Sequence, residues 1–81
     1  MKLITKELDI LFEDNHLIIV NKPCGILVQG DKTGDIPLLE IIKKYIKKKY
    51  DKKGNVYVGL VNRIDRPTSG IVIFTKTSKA L

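Results

Sequence analysis

Two apolar runs, Leu17-Ile18-Ile19-Val20 and Ile71-Val72-Ile73-Phe74, lack polar alternation. Short runs rich in β-branched residues read as buried strands, and the first is expected to be covered on both faces. Residues 9–13 and 16–21 flank the turn pair Asp14-Asn15, which predicts a hairpin. Lys22-Pro23-Cys24-Gly25 breaks the second run, because proline removes a backbone donor and glycine allows unusual dihedrals. Residues 26–28 predict a short further strand, and residues 30–35 a polar loop. The period then becomes helical. Leu38, Leu39, Ile42, Tyr45 and Ile46 share one face and Lys43, Lys44, Lys47 and Lys48 lie opposite, which predicts an amphipathic helix over 36–50. Asp35 and Pro37 mark its start and Gly54-Asn55 its end. Residues 56–61 and 71–75 are β-rich and enclose a polar connection, residues 62–70. Ser78-Lys79-Ala80-Leu81 reads as a helix cap followed by good helix formers, too short to repay helix nucleation. The chain therefore ends either in a frayed tail or as the front part of something longer.

Composition narrows the class. A length of 81 residues allows one domain and one core, with 43% hydrophobic residues to build it. Cys24 has no second cysteine to pair with, and a single His leaves no Cys/His set for structural zinc. The apolar runs fall far short of the ~20 residues that span a bilayer. Residues 1–7 carry no apolar signal-peptide core. A soluble cytoplasmic protein with no membrane partner is expected. The net charge of +6 is concentrated: residues 43–53 hold seven Lys and one Asp, and the remaining basic and acidic residues balance. Such a segment suits RNA or another polyanion, but the solvated face of an ordinary surface helix explains it more simply.

The polar connection is where chemistry could reside. Asp65 sits between Arg63 and Arg66, in a segment made tight by Pro67 and Gly70. Adjacent guanidinium charges would favour its ionised form, as a nucleophile or base acting on a sugar requires. Those arginines suit RNA phosphates or stacking on unpaired bases equally well. Spacing alone does not separate this reading from a solvated loop.

The stretch from Asn62-Arg63-Ile64-Asp65 through Thr68-Ser69-Gly70 into an apolar strand and Lys76-Thr77 resembles the signature of RluA-type pseudouridine synthases. Ile10-Leu11-Phe12-Glu13-Asp14, followed by Leu17-Ile18-Ile19-Val20-Asn21-Lys22-Pro23-Cys24-Gly25, is similar to the opening of that family's catalytic domain, with its Asn-Lys-Pro-x-Gly loop. The resemblance runs from about Leu8 to Leu81. It implies an α+β fold, with a mixed, largely antiparallel sheet and one amphipathic helix. Residues 1–81 would form the front part of a pseudouridine synthase catalytic domain. It also implies isomerisation of uridine in ribosomal or transfer RNA, without cofactor or metal. Asp65 would be the catalytic carboxylate, and Arg63 would help fill the space of a flipped base. Arg66, Asn62 and Lys22 are further candidates for substrate contact, and Lys43, Lys44, Lys47 and Lys48 for the RNA backbone.

The chain departs from the pattern in places. Asn62 stands where many members have His, Gln29 replaces a His that often follows the loop, and Cys24 fills the variable position of Lys-Pro-x-Gly. The family's domain continues to a strand whose aromatic residue packs on the target base, and to a basic residue that pairs with the catalytic Asp. Nothing in these 81 residues matches either group. The isolated chain is thus expected to be inactive and to associate through exposed strand edges. A non-catalytic basic RNA-binding module and a truncated remnant are the competing readings.

Overall fold

Asp14 builds the first turn. Its carboxylate accepts the backbone N–H groups of His16 and Leu17 at 2.8 and 2.7 Å, and its own N–H donates to the Leu17 carbonyl at 3.0 Å. This folds β1 (Ile10–Glu13) back against β2 (Leu17–Lys22), as the turn pair predicted. The structure, a computed structural model, describes residues 8–30, 33–51, 54 and 56–80. The expectations placed on residues 1–7, on the loop positions 31 and 32, on Lys52, Lys53 and Asn55, and on Leu81 lie outside the described residues.

β4 (Gly70–Thr75) pairs with the other side of β2, setting Ile18 opposite Phe74 and Val20 opposite Val72. β3 (Gly59–Leu60) pairs with β4 at the outer edge. The sheet order is β1-β2-β4-β3 and all three pairings are antiparallel, so the expected α+β class holds. Two details differ from the sequence reading. β2 is not covered on both faces: Ile18, Val20 and Lys22 are buried, whereas Leu17 and Ile19 are half-buried and Asn21 is exposed. Of residues 56–61 only Gly59 and Leu60 form a strand, and Val61 is exposed.

The helix α1 (Leu38–Lys49) lies within the predicted limits. Its buried residues are Leu38, Ile41, Ile42 and Ile46, so Ile41 rather than the half-buried Leu39 completes the inner face. These side chains form the core with Ile18, Val20, Val72 and Phe74 of the sheet, joined by Ile26, Val28 and Val58. Removing a large aliphatic side chain from water contributes roughly 1.5–3 kcal/mol. Pro37 precedes the helix and gives no side-chain cap. Instead the Leu38 and Leu39 N–H groups donate to the carbonyls of Leu27 and Val28 at 2.7 and 3.0 Å. Residues 26–28 are therefore not the short strand their composition predicted: they cap the helix with backbone and bury Ile26 and Val28 beneath it. After the Tyr50 cap, Asp51 takes a left-handed φ of 49° and ends the helix before Gly54 is reached. Residues Ser78–Ala80 form a single 3-10 turn.

Glu13 ties the far end of the helix to the sheet. Its carboxylate accepts hydrogen bonds from Tyr45 Oη at 2.7 Å, Tyr50 Oη at 2.8 Å, and Lys49 Nζ and Lys76 Nζ, each at 3.0 Å. Burial acts to raise its pKa, but the four hydrogen bonds outweigh that effect and hold it down at about 2. Lys49 and Lys76 also lie over the Tyr50 ring.

Candidate active site

The connection from β3 to β4 carries Asp65, and four sets of contacts determine its path. Asn62 comes first. Its amide Nδ2 donates to the Ile71 carbonyl at 3.2 Å and its Oδ1 accepts the Ile73 N–H at 2.8 Å, so the side chain pairs with β4 as a backbone would. The segment then leaves the sheet and turns at Asp65, whose carbonyl accepts the Thr68 N–H at 2.9 Å.

Arg66 closes the turn against the β2–α1 connection. Its carbonyl accepts the Gly25 N–H at 2.8 Å, and its Nε donates to the Gly25 carbonyl at 3.1 Å. Gly25 meets this reciprocal pair with φ of 88°, a conformation that favours glycine. The outer guanidinium nitrogen of Arg66 binds Asp35. Lys22 holds the same junction from inside. The side chain is fully buried, and Nζ donates to the carbonyls of Pro23, Ile26 and Arg66 at 3.0, 2.7 and 3.0 Å. Desolvation, aided by the Arg66 charge, lowers its pKa. Lys22 follows Ile18 and Val20 on the inward face of β2, and that two-residue period was the sequence signal for its burial.

These contacts leave an open cleft of about 610 Å³ lined by Leu27, Val28, Gln29, Gly30, Arg63, Ile64, Asp65 and Arg66. Asp65 is exposed on its wall, and its carboxylate takes no hydrogen bond or ion pair among the described residues. Arg63 Nη1 reaches Gln29 Oε1 at 3.4 Å across the same cleft. The flanking guanidinium groups thus do not pair with Asp65, contrary to the expectation from adjacency: one is directed at Gln29 and the other at Gly25 and Asp35.

The geometry sorts the candidate residues. Asp65 and Arg63 share the cleft. Arg66 lines it as well, but with its polar groups engaged by protein. Two expected substrate contacts are corrected: Lys22 is buried beneath the cleft with its ammonium given to three carbonyls, and the Asn62 amide is bonded at both ends to β4. Lys43, Lys44, Lys47 and Lys48 lie away from the cleft, on the outer side of α1. Among the described residues no tyrosine lines the cleft; Tyr45 and Tyr50 are bonded to Glu13. Among the described residues no group of His, Cys, Asp and Glu is placed to hold a metal ion, and no helix is long and apolar enough to cross a membrane. Sequence reasoning missed the Gln29 contact, which no local pattern announces.

A carboxylate on a clamped turn, beside an arginine in an open cleft of an antiparallel sheet with one helix, gives the class as an α+β fold of the type that the sequence resembles. The chain belongs to the RNA pseudouridylate synthase family, whose model matches residues 16–81. It is similar to an uncharacterized RNA pseudouridine synthase of Mycoplasma genitalium, 44% identical over 100% of this chain and 26% of the relative. It is also similar to ribosomal large subunit pseudouridine synthase C of Buchnera aphidicola subsp. Acyrthosiphon pisum, 40% identical over 89% of this chain and 21% of the relative. A third relative is tRNA pseudouridine synthase C of Haemophilus ducreyi, 37% identical over 90% of this chain and 28% of the relative. The fold matches that of human RNA pseudouridylate synthase domain containing 4 with a TM-score of 0.69 and 24% identity, over 88% of this chain and 25% of that one. The RluA-type resemblance is thereby borne out. The chain spans about a quarter of the length of these relatives.

Proposed function

We propose that this chain supplies the front part of the catalytic domain of an RNA pseudouridine synthase, with Asp65 as the catalytic carboxylate. The observation that supports this reading is Asp65 itself: exposed on a cleft wall, unpaired among the described residues, and mounted on a turn that Gly25, Lys22 and Arg66 hold from behind. A group held in this way meets a substrate without first breaking a protein contact. The reaction breaks the bond between ribose C1′ and uracil N1, turns the base and joins C5 to C1′, with loss of the C5 proton. Arg63, on the same wall, occupies the place vacated by the displaced base.

The relatives' names divide the substrate class between ribosomal large subunit RNA and tRNA. This reading takes the protein to be cytoplasmic, where both classes of RNA are used. The chain spans 26% of the length of its Mycoplasma genitalium relative, and on this reading the remaining walls of the pocket come from the rest of such a protein. The test uses the complete protein and RNA carrying tritium at uracil C5. Label is released by the wild type, whereas Asp65→Asn and Asp65→Ala fall to background although they still bind RNA. Full turnover by either variant overturns the assignment of this carboxylate. Family membership and this cleft favour an enzyme over a non-catalytic basic module or a remnant.

A further inference from the structure

Most basic side chains near the sheet and the cleft are occupied by the protein itself. Lys22 binds three carbonyls, Lys49 and Lys76 bind Glu13, Arg66 binds Asp35, and Arg63 reaches Gln29. The outer face of α1 is different. Lys43 has only a 3.7 Å contact with Glu40, and Lys44, Lys47 and Lys48 have no acidic partner among the described residues.

Their spacing costs stability. Lys43 and Lys47, and likewise Lys44 and Lys48, are like charges four residues apart on one helix, each pair unfavourable by roughly 0.2–0.5 kcal/mol. The helix dipole offsets part of this only for the lysines of the last turn. Between this face and the following segment runs a groove of about 190 Å³ lined by Glu40, Lys43, Lys44, Lys47, Gly54 and Val56. No heavy atom lies within 4 Å of where a Gly54 Cβ would stand, so the groove is open on that side.

The helix is also bonded to the wall of the Asp65 cleft. Leu27 and Val28, which line the cleft, hold the N–H groups of Leu38 and Leu39. At 1.5 Å per residue, Lys43 to Lys48 lie roughly 8–15 Å along the axis from that junction. A polyanion engaged at the cleft thus has a cationic surface within a few nucleotides' reach, rigidly attached to it.

We propose that the outer face of α1, through Lys44, Lys47 and Lys48 with Lys43 at the groove, is a second docking surface that takes the phosphate backbone of a single-stranded segment of the RNA. This rests on the reading of the protein as RNA-acting and adds a contact remote from the reacting base. Phosphate supplies the counter-charge that the fold withholds from these lysines, and release of the ions condensed on the RNA drives the association.

The test is binding of a fluorescently labelled single-stranded oligoribonucleotide to the full chain across a salt series. Three phosphate contacts give a slope of about −2 in log affinity against log salt, a loss of roughly 20-fold for a fourfold rise in salt. The triple variant Lys44→Gln/Lys47→Gln/Lys48→Gln should abolish most of this slope while keeping the wild-type helical circular dichroism. Lys79→Gln, an exposed lysine outside the helix, serves as the charge control. The proposal is overturned if the triple variant binds and responds to salt like the wild type. It also falls if Lys79→Gln weakens binding as much per charge as the helix changes, which would mark a diffuse net-charge effect. Polyglutamate competing as well as RNA would show a general acidic-ligand surface and would likewise sink it. None of these outcomes touches the assignment of Asp65, which is read by label release and not by binding.

Discussion

Lys22 shows how much a single side chain contributes at the residue scale. It is an ammonium with no carboxylate partner, fully buried and satisfied by three carbonyls, one of them belonging to the residue after Asp65. Lys22→Met keeps the aliphatic stem but removes the donor, leaving the Pro23 and Ile26 carbonyls without this partner in a buried place. An unsatisfied buried group costs about 1–3 kcal/mol, so chemical denaturation of Lys22→Met should show a loss of about 2 kcal/mol or more. Hydrogen exchange should increase locally at Gly25 and Thr68, whose N–H groups donate to the carbonyls of Arg66 and Asp65. Unchanged stability would mean that the junction is held by Arg66 and Gly25 alone. The sequence reading put Lys22 at the break after the apolar run, and neither its inward position on β2 nor its acceptors, one of which lies 44 residues away, were read from it.

At the scale of elements, α1 is held at both ends by contacts that its own sequence does not specify. The Leu27 and Val28 carbonyls hold its first turn, and Glu13 gathers Tyr45, Lys49 and Tyr50 around its last turns. The Glu13 tie predicts a pH dependence. Its carboxyl titrates at about 2 in the folded protein against an ordinary value of 4.5. A depressed carboxylate stabilises the fold fully above the unfolded value, and the contribution is lost as pH falls from there through the folded value. Urea melts of wild type and Glu13→Gln should therefore differ by about 2 kcal/mol near neutral pH and converge between about pH 4.5 and pH 2. A gap that stays constant over that range would show that the carboxylate charge is not what holds the helix. The helix itself was legible from its 3.6-residue period, because burial against the sheet selects one face wherever the sheet lies. Its anchors were not legible, because they are drawn from β1 and the 26–28 segment.

For the whole molecule, the described residues cover the sheet on one side only. Phe12, Ile19 and Ile73 lie in register on the face away from the core, Phe12 is exposed, and Ile71, two residues before Ile73 on the same strand, is 56% exposed. An uncovered apolar face of this kind favours association. Strand edges were the surface expected from sequence, but β1 and β3 have only four and two residues, so the face is the larger hazard. Sedimentation of the chain should reveal concentration-dependent self-association, and Phe12→Lys/Ile71→Lys should shift it toward monomer without loss of β-sheet signal. Association that persists in this variant would place the contact elsewhere.

Local signals act within a single element or turn: unbroken apolar runs located the strands, the Asp14-Asn15 pair the hairpin, the 3.6-residue period the helix, and the polar break between strands the turn bearing Asp65. The same local signals misjudged residues 26–28, whose β-branched composition met a helix end in need of acceptors and became its cap. Chain closure settled the rest: β4 came to lie between β2 and β3, Lys76 met Glu13 from 63 residues away, and the two arginines beside Asp65 turned toward other partners. A charged group takes the nearest partner in space once it is desolvated, and that partner is set by how distant strands and loops pack together.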